Sequence, residues 1–411
     1  MGTEGSLRHL AFFEELGEMD ETNPTWYSVS AGLVVMRLID AWIADGPASV
    51  SNDRWTVDEV RAAVATIPET LPHRRILTAI VDCIDGARSV DVHLVSPRLM
   101  AYGHVLEYES RWSLAADVYR TLVAYAHPID DADLVVSAHI QLAFCLRMVG
   151  DLDSSAASYA DASRVASVSG DMIGVLRARL GDAKVSIARG NMPRAESILE
   201  ETIATAGEHS LRDVHSHALH ERAHVAGLRG EYERSIQFAY RALDLAPSQR
   251  QKDRILGDIA ASFMYLGLDD VARDAYLVLA ATAQEQYVRW MSELNLLEIA
   301  AKQGSELQFD RYRRDLEHHD FTPQLRVIYL IHVGRGYHTL GDSGTGIAYL
   351  ERAVEIAEQF RLNQLLFEAE QALGEARRRA AVARRTSTMD TEPVREVIGV
   401  IRELKEMAGV G

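Results

Sequence analysis

Hydrophobic and polar positions along the chain fall into one recurring shape. An amphipathic helical segment leads into a short turn of glycine and an acid or similar residue, and a second amphipathic segment follows. RMVGDLDSSAASY, IARGNMPRAESIL, GLRGEYERSIQFAYRALDLAP, MYLGLDDVARDAY and HTLGDSGTGIAYLERA all carry it. The turn glycines are Gly150, Gly190, Gly230, Gly267, Gly304 and Gly341, and Ser110 in YESRWSLAADVYRTL takes the same place earlier. Their intervals are 40, 40, 40, 37, 37 and 37 residues. Self-similarity at such a period predicts an array of helical hairpins. Glycine suits the turn because a tight helix–helix connection often needs positive φ at the residue closing the first helix.

The flanks also read as helices. Residues 20–94 contain PTWYSVSAGLVVMRLIDAWIADG, then the loop GPASVSNDRW, then TVDEVRAAVATI with Thr56 as N-cap and Glu59 three residues on, then PHRRILTAIVDCIDG. Residues 1–94 are therefore expected to form a helical cap or divergent first repeat, covering the apolar edge of the array at 95–360. Residues 361–385 read as a C-terminal capping helix. Residues 386–411 read as a linker, TSTMDTEP, and a short amphipathic helix, VREVIGVIRELKEM, that docks or swings free. The first residues lack a basic region followed by a long apolar run, so no secretory signal is expected. Gly2 and Ser6 fit the loose M-G-x-x-x-S acylation pattern. Arg37 and Asp40 interrupt the longest apolar stretch, and no transmembrane helix is expected.

The repeat resembles the tetratricopeptide (TPR) family, which places a small residue at position 8, Gly at 15, a small residue at 20, a bulky one at 24, Ala at 27 and often Pro at 32. With Gly230 at 15, Ala223 falls at 8, Tyr232 at 17, Ser235 at 20, Ala242 at 27 and Pro247 at 32. With Gly341 at 15, Gly334 is at 8, Tyr337 at 11, Gly346 at 20 and Ala353 at 27. The first unit gives Gly103, Trp112, Ala115 and Tyr119 at 8, 17, 20 and 24. Small residues at 8 and 20 let two antiparallel helices approach closely. The unit around Gly304 departs, with Leu297, Phe309 and Arg313 at 8, 20 and 24. The resemblance implies an all-α, right-handed TPR-like helical-hairpin solenoid of about seven repeats with helical N- and C-terminal caps. Repeats of this extended length are similar to those of bacterial signalling and regulatory proteins.

Composition agrees with helix: 47% of residues are hydrophobic and only 7% aromatic. The net charge of -17 argues against nucleic acid as a partner, and nothing points to a membrane. The basic run ARRRAAVARR (376–385) reads as a solvated face of the capping helix. Cys83 and Cys145 sit in apolar helical patterns and are expected to be buried thiols of a reducing, cytoplasmic protein.

HERAH at 220–224, with Gly227 beyond it, spells the H-E-x-x-H helix of a zinc metalloprotease. The glutamate would activate a water on a metal shared by His220 and His224. Against that, Gly230 stands where a third histidine is needed, and the repeat frame already accounts for Ala223 and Gly230. EHHD (317–320) could chelate, but adjacent residues on a helix point different ways and a surface position is expected. The glycines of GRG and GDSGTG around 334–346 suggest a phosphate loop but lack its lysine and preceding strand, and they fall on repeat positions 8 to 20.

The resemblance further implies that helix A of each repeat turns positions 2, 5, 9, 12 and 13 into a concave groove. Those positions hold His104, Phe144 and Arg147, Arg177 and Lys184, then His217, His220 and His224, then Arg254 and Tyr265, and last Arg335 and His338. The sixth unit contributes a mixed pair, Glu298 and Lys302. A chain this acidic that lines its groove with cations and aromatics suits an acidic or carboxylate-terminated peptide, or a protein partner. The expectation is a non-catalytic binding scaffold without cofactor or metal. The alternatives are a zinc hydrolase at HERAH and a peptide-sensing regulatory module acting through a separate effector.

Overall fold

The computed structural model describes residues 8–20, 23–45, 57–85, 91–126, 131–319, 321–360, 362–378 and 392–409. Gly2, Ser6, Thr56, Asp320, the end of the basic run at 379–385 and most of the 386–393 linker lie outside them. The described residues form twenty helices and no strand. Four open the chain: α1 (Leu10–Glu18), α2 (Pro24–Asp45), α3 (Val57–Ala65) and α4 (Pro72–Asp85). Helices A and B then alternate: α5 (Val92–Tyr108) and α6 (Trp112–Ala126), α7 (Ala132–Met148) and α8 (Leu152–Ser169), α9 (Met172–Ala188) and α10 (Met192–Glu208), α11 (Arg212–Leu228) and α12 (Tyr232–Leu245). They continue as α13 (Gln249–Tyr265) and α14 (Asp269–Thr282), α15 (Gln286–Lys302) and α16 (Glu306–Glu317), α17 (Pro323–Thr339) and α18 (Ser343–Gln359), before α19 (Asn363–Arg378) and α20 (Glu392–Ala408). The chain divides into two compact units, residues 1–190 with α1 to α9 and residues 191–411 with α10 to α20. Within each, consecutive helices pack on one another as TPR-like hairpins.

The turns take the predicted form. Ser110, Gly150, Gly190, Gly230, Gly267, Gly304 and Gly341 all have positive φ, from 62° at Ser110 to 98° at Gly341. After Ser110, Gly150, Gly230, Gly267, Gly304 and Gly341 the next residue donates its N–H to the carbonyl five positions back, as from Asp151 to Leu146 and from Asp342 to Tyr337, both at 2.9 Å. The acid of the turn then caps the next helix: Asp151 accepts from Ser154 N at 3.0 Å, and Asp342 from Thr345 N at 3.1 Å. GDSGTG is thus a hairpin turn. Every A helix from α5 to α17 has 17 residues, so the fall in period from 40 to 37 lies in the B helices: α8 and α10 have 18 and 17 residues, α12 and α14 only 14 each.

Small residues at positions 8 and 20 mark the closest approach of A and B. A Cβ on Gly346 would stand 2.7 Å from the Gly334 carbonyl oxygen. The divergent unit solves the same problem in reverse. Its Leu297 and Phe309 are buried, and the bulk of Phe309 is received by Gly336 of α17, where a Cβ would lie 2.2 Å from the ring. Consequently α17 packs more extensively on α15 than on α16.

The N-terminal unit is built around a buried charge cluster that the sequence did not announce. His9, at the left-handed N-cap of α1 (φ 63°), faces Asp117 at 2.9 Å through Nδ1 and Asp40 at 3.2 Å through Nε2. Asp40 also accepts from Tyr125 and pairs with Arg8. Arg37 lies over the Phe13 ring at 5.7 Å. Both residues that interrupt the apolar run are therefore committed within the fold. By length and composition alone Thr25–Ala44 would suffice to cross a membrane; here its Val35, Met36, Ile39 and Trp42 are core. Cys145 is buried as expected, whereas Cys83 is only half-buried because the outer side of α4 is partly exposed.

α20 docks. Val397 and Ile401 are buried against α12 and α14, Lys405 pairs with Asp274 at 2.8 Å, and Tyr240 donates to Glu396 at 3.3 Å.

Helix propensity alone would make Gly336→Ala stabilising by about 1 kcal/mol. Contact with Phe309 reverses the sign, and a loss of about 1–3 kcal/mol is expected in urea unfolding. Phe309→Leu in the same chain should recover most of that loss, and additive effects of the two changes would refute the contact.

A second prediction concerns pH. Burial opposes charge on His9, but hydrogen bonds and attraction from Asp117 and Asp40 outweigh it and hold the imidazolium up to about 9. A raised pKa stabilises fully below the unfolded value of about 6.5 and is lost as pH rises through the folded one. The unfolding free energy of the first unit should therefore fall between pH 6.5 and 9 by at most about 3 kcal/mol. His9→Gln should flatten that decline; an unchanged profile would show that His9 does not cause it.

Candidate functional site

In the second unit the A helices present two side-by-side stripes. On α11 His217, His220, His224 and Leu228 follow one another at i, i+3, i+7 and i+11; on α13 Arg254, Asp258 and Tyr265 stand at i, i+4 and i+11. His220 Nε2 ties them together, 2.6 Å from Asp258 Oδ2. The Arg254 fork donates through Nε and Nη2 to both carboxylate oxygens of Glu285, just before α15, at 2.7 and 2.9 Å. His217 meets Asp213 at 3.5 Å, and His224 is exposed. At the ends of the stripes Leu228 is 53% exposed and Tyr265 70% exposed. Tyr265 lies flat on Tyr232 of α12, ring centroids 4.8 Å apart.

The stripe stops at α15. Lys302 pairs with Glu298 at 2.7 Å, and His332 of α17 approaches the same carboxylate at 3.5 Å. Burial opposes the charge on Glu298, but these two neighbours hold its carboxyl far below the usual range. Leu294, the position-5 residue here, is fully buried. Beyond this interruption Arg335 donates to Glu368 of α19 at 2.9 Å, and His338 Nδ1 is 2.9 Å from Ser343 Oγ. The structure brings together His217, His220, His224, Arg254 and Tyr265, and sets Arg335 and His338 apart from them.

In the first unit, exposed His104 lies 3.1 Å from the Gln141 side chain. Phe144 packs edge-to-face on Trp112 beneath the Arg147 guanidinium, at 5.6 and 5.4 Å. Arg177 is exposed and Lys184 half-buried, both on α9.

Within HERAH the most constrained side chain is Arg222, which is 3% exposed. It pairs with Glu196 at 3.1 Å and stands 4.8 Å over the Phe238 ring. The two histidines point outward because Arg222 and Ala223 point in. The acids Asp258, Glu285 and Glu368, which engage three of the expected groove residues, were not foreseen. They lie 38, 31 and 33 residues from their partners, about one repeat period on, and a search at that spacing would have found them.

No family model matches the chain. No curated protein matches it by sequence. Among solved structures, the Rap conjugation gene regulator of plasmid pLS20, in complex with the Phr peptide, is 13% identical, covering 82% of this chain and 98% of its own at a TM-score of 0.49. A Rap protein complexed with Competence and Sporulation Factor is 11% identical, covering 86% and 98%, at 0.45. A signal-transduction ATPase with a tetratricopeptide repeat sensor from Pyrococcus horikoshii is 12% identical, covering 99% and 68%, at 0.36. These are distant backbone likenesses.

Among the described residues no group of three His, Cys, Asp or Glu is arranged to hold a metal, and His220 Nε2 is already engaged by Asp258. Protein purified without chelator should carry no stoichiometric zinc by elemental analysis. One equivalent of zinc that disappears in His220→Ala would reinstate the hydrolase.

Proposed function

We propose that the protein is a non-catalytic binding scaffold whose A-helix face takes an acidic peptide or a protein segment. What supports this most is the edge of α11 and α13, where Leu228 and Tyr265 stay exposed beside the histidine row of α11 and Arg254 of α13. Large apolar groups left in water next to Arg and His are the anchors such a segment uses. In the second unit the proposed contacts are His217, His220, His224, Arg254 and Tyr265. In the first unit they are His104, Phe144, Arg147, Arg177 and Lys184, on the equivalent positions. Arg335 and His338 are retained as outlying contacts.

The chemistry sets the strength. Arg254 and His220 already hold carboxylates from the neighbouring A helices, so a ligand's acids would exchange with Glu285 and Asp258 and not meet bare charge. Exposed ion pairs of this sort contribute little each and weaken with salt. Affinity would therefore rest on apolar anchoring at Leu228 and Tyr265, with charge supplying register and selectivity.

Peptide display against the purified chain tests this, using as counter-target a Tyr265→Ser, Arg254→Glu, His224→Glu triple variant of equal helicity. The expected outcome is enrichment of sequences with Asp or Glu beside a bulky apolar residue, bound at least tenfold more weakly by the variant. Absence of enrichment, or equal binding by both proteins, would remove the A-helix face from consideration.

A further inference from the structure

The second unit holds a cavity of about 630 Å³ between the first turns of α11 and α13, the last turns of α12 and α14, and α20. On α11 it is lined by His215 and Leu219 and on α13 by Lys252 and Leu256, on the sides of those helices turned away from the stripes just described. Its walls are apolar: Leu219, Leu256 and Leu279 are buried, and α20 supplies Val400 and Leu404 as a roof. The size falls within the range of small-molecule sites, which combine apolar walls with a few convergent polar groups.

Those polar groups favour an anion. Arg241 and Lys252 are exposed at the rim, and among the described residues neither is in an ion pair. His215 Nε2 is buried without a hydrogen-bond partner. Burial, and then Arg241, lower the His215 pKa, which favours the neutral ring, and in its Nε2–H tautomer that nitrogen is a donor. Asp253 also lines the cavity, but its two oxygens already accept from Gln249 Nε2 at 2.7 Å and from the Gln284 N–H at 2.9 Å. Asp244, exposed at the rim, is the remaining acid of the lining. Counted with Asp253, whose charge its neutral donors leave in place, the lining holds two cations and two acids. What favours an anion is that Arg241 and Lys252 stand exposed at the rim outside any ion pair among the described residues, while Asp253 is buried with both oxygens engaged.

We propose that this cavity binds a small apolar carboxylate, with its hydrocarbon body against Leu219, Leu256 and Leu279 beneath α20 and its carboxylate at the mouth with Arg241 and Lys252. His215 is available as a third donor. The site is separate from the peptide-binding face, and α20 is a structural part of it.

Calorimetric titration of the full chain with decanoate and with decanol tests the assignment. The comparison protein is an Arg241→Glu, Lys252→Glu double variant, whose changes are on exposed side chains and whose helicity is checked. Saturable one-to-one binding of decanoate is expected, weakened at least tenfold in the variant, while decanol binding changes less than twofold. The A-face triple variant should bind decanoate like wild type. Failure of wild type to bind decanoate saturably would overturn the proposal. So would a variant that binds it undiminished, or one that loses decanol and decanoate equally.

Discussion

Everything else in this fold depends on how closely the two helices of a hairpin can approach. Where Gly334 meets Gly346 the backbones all but touch, and the left-handed residue at Gly341 turns the chain in the few residues available. That contact fixes the rotation of each A helix about its axis. In α11 it seats Arg222 and Ala223 inward together, so His220 and His224, on the other side of the helix, face out. A sequence that spells a metal helix is thereby made into part of a surface. The spelling is a by-product of hairpin packing, since outward positions recur at i and i+4 on any helix.

Where the close approach is not available, the surface changes as well. Phe309 occupies a place meant for a small side chain, and Gly336 accommodates it from the next A helix. α17 consequently settles onto α15, and Glu298 ends up between Lys302 and His332 instead of lining an open face. The interruption of the A-helix stripe and the irregular sixth hairpin have one cause.

The hairpins were legible because their determinants are local. Turn glycines, capping acids and small residues at two positions act within a dozen or so residues of one another. Gly170 and Ser210 carry the same left-handed geometry between hairpins and escaped notice, as they do not share the regular interval. α1 was missed too, being short and tied in place by His9 through partners as far off as Asp117. The site was legible only in part. Helical periodicity selects which residues of α11 and α13 face outward, but not what faces them; Asp258 and Glu285 come from the next repeat. The cavity beneath α20 could not be read at all, because Leu404 and Leu219 become neighbours only once five helices are in place.

The shorter B helices have a consequence in time as well as in space. α12 and α14 end about three residues, or roughly 4.5 Å, sooner than their counterparts α8 and α10. The notch so formed is filled by residues that follow more than a hundred positions later in the chain. Hairpins built from neighbouring segments can form as synthesis proceeds, whereas this long-range closure has to wait for the segment that makes it. During that interval Leu219, Leu256 and Leu279 border an open apolar notch, the kind of transiently exposed surface that favours aggregation until α20 arrives.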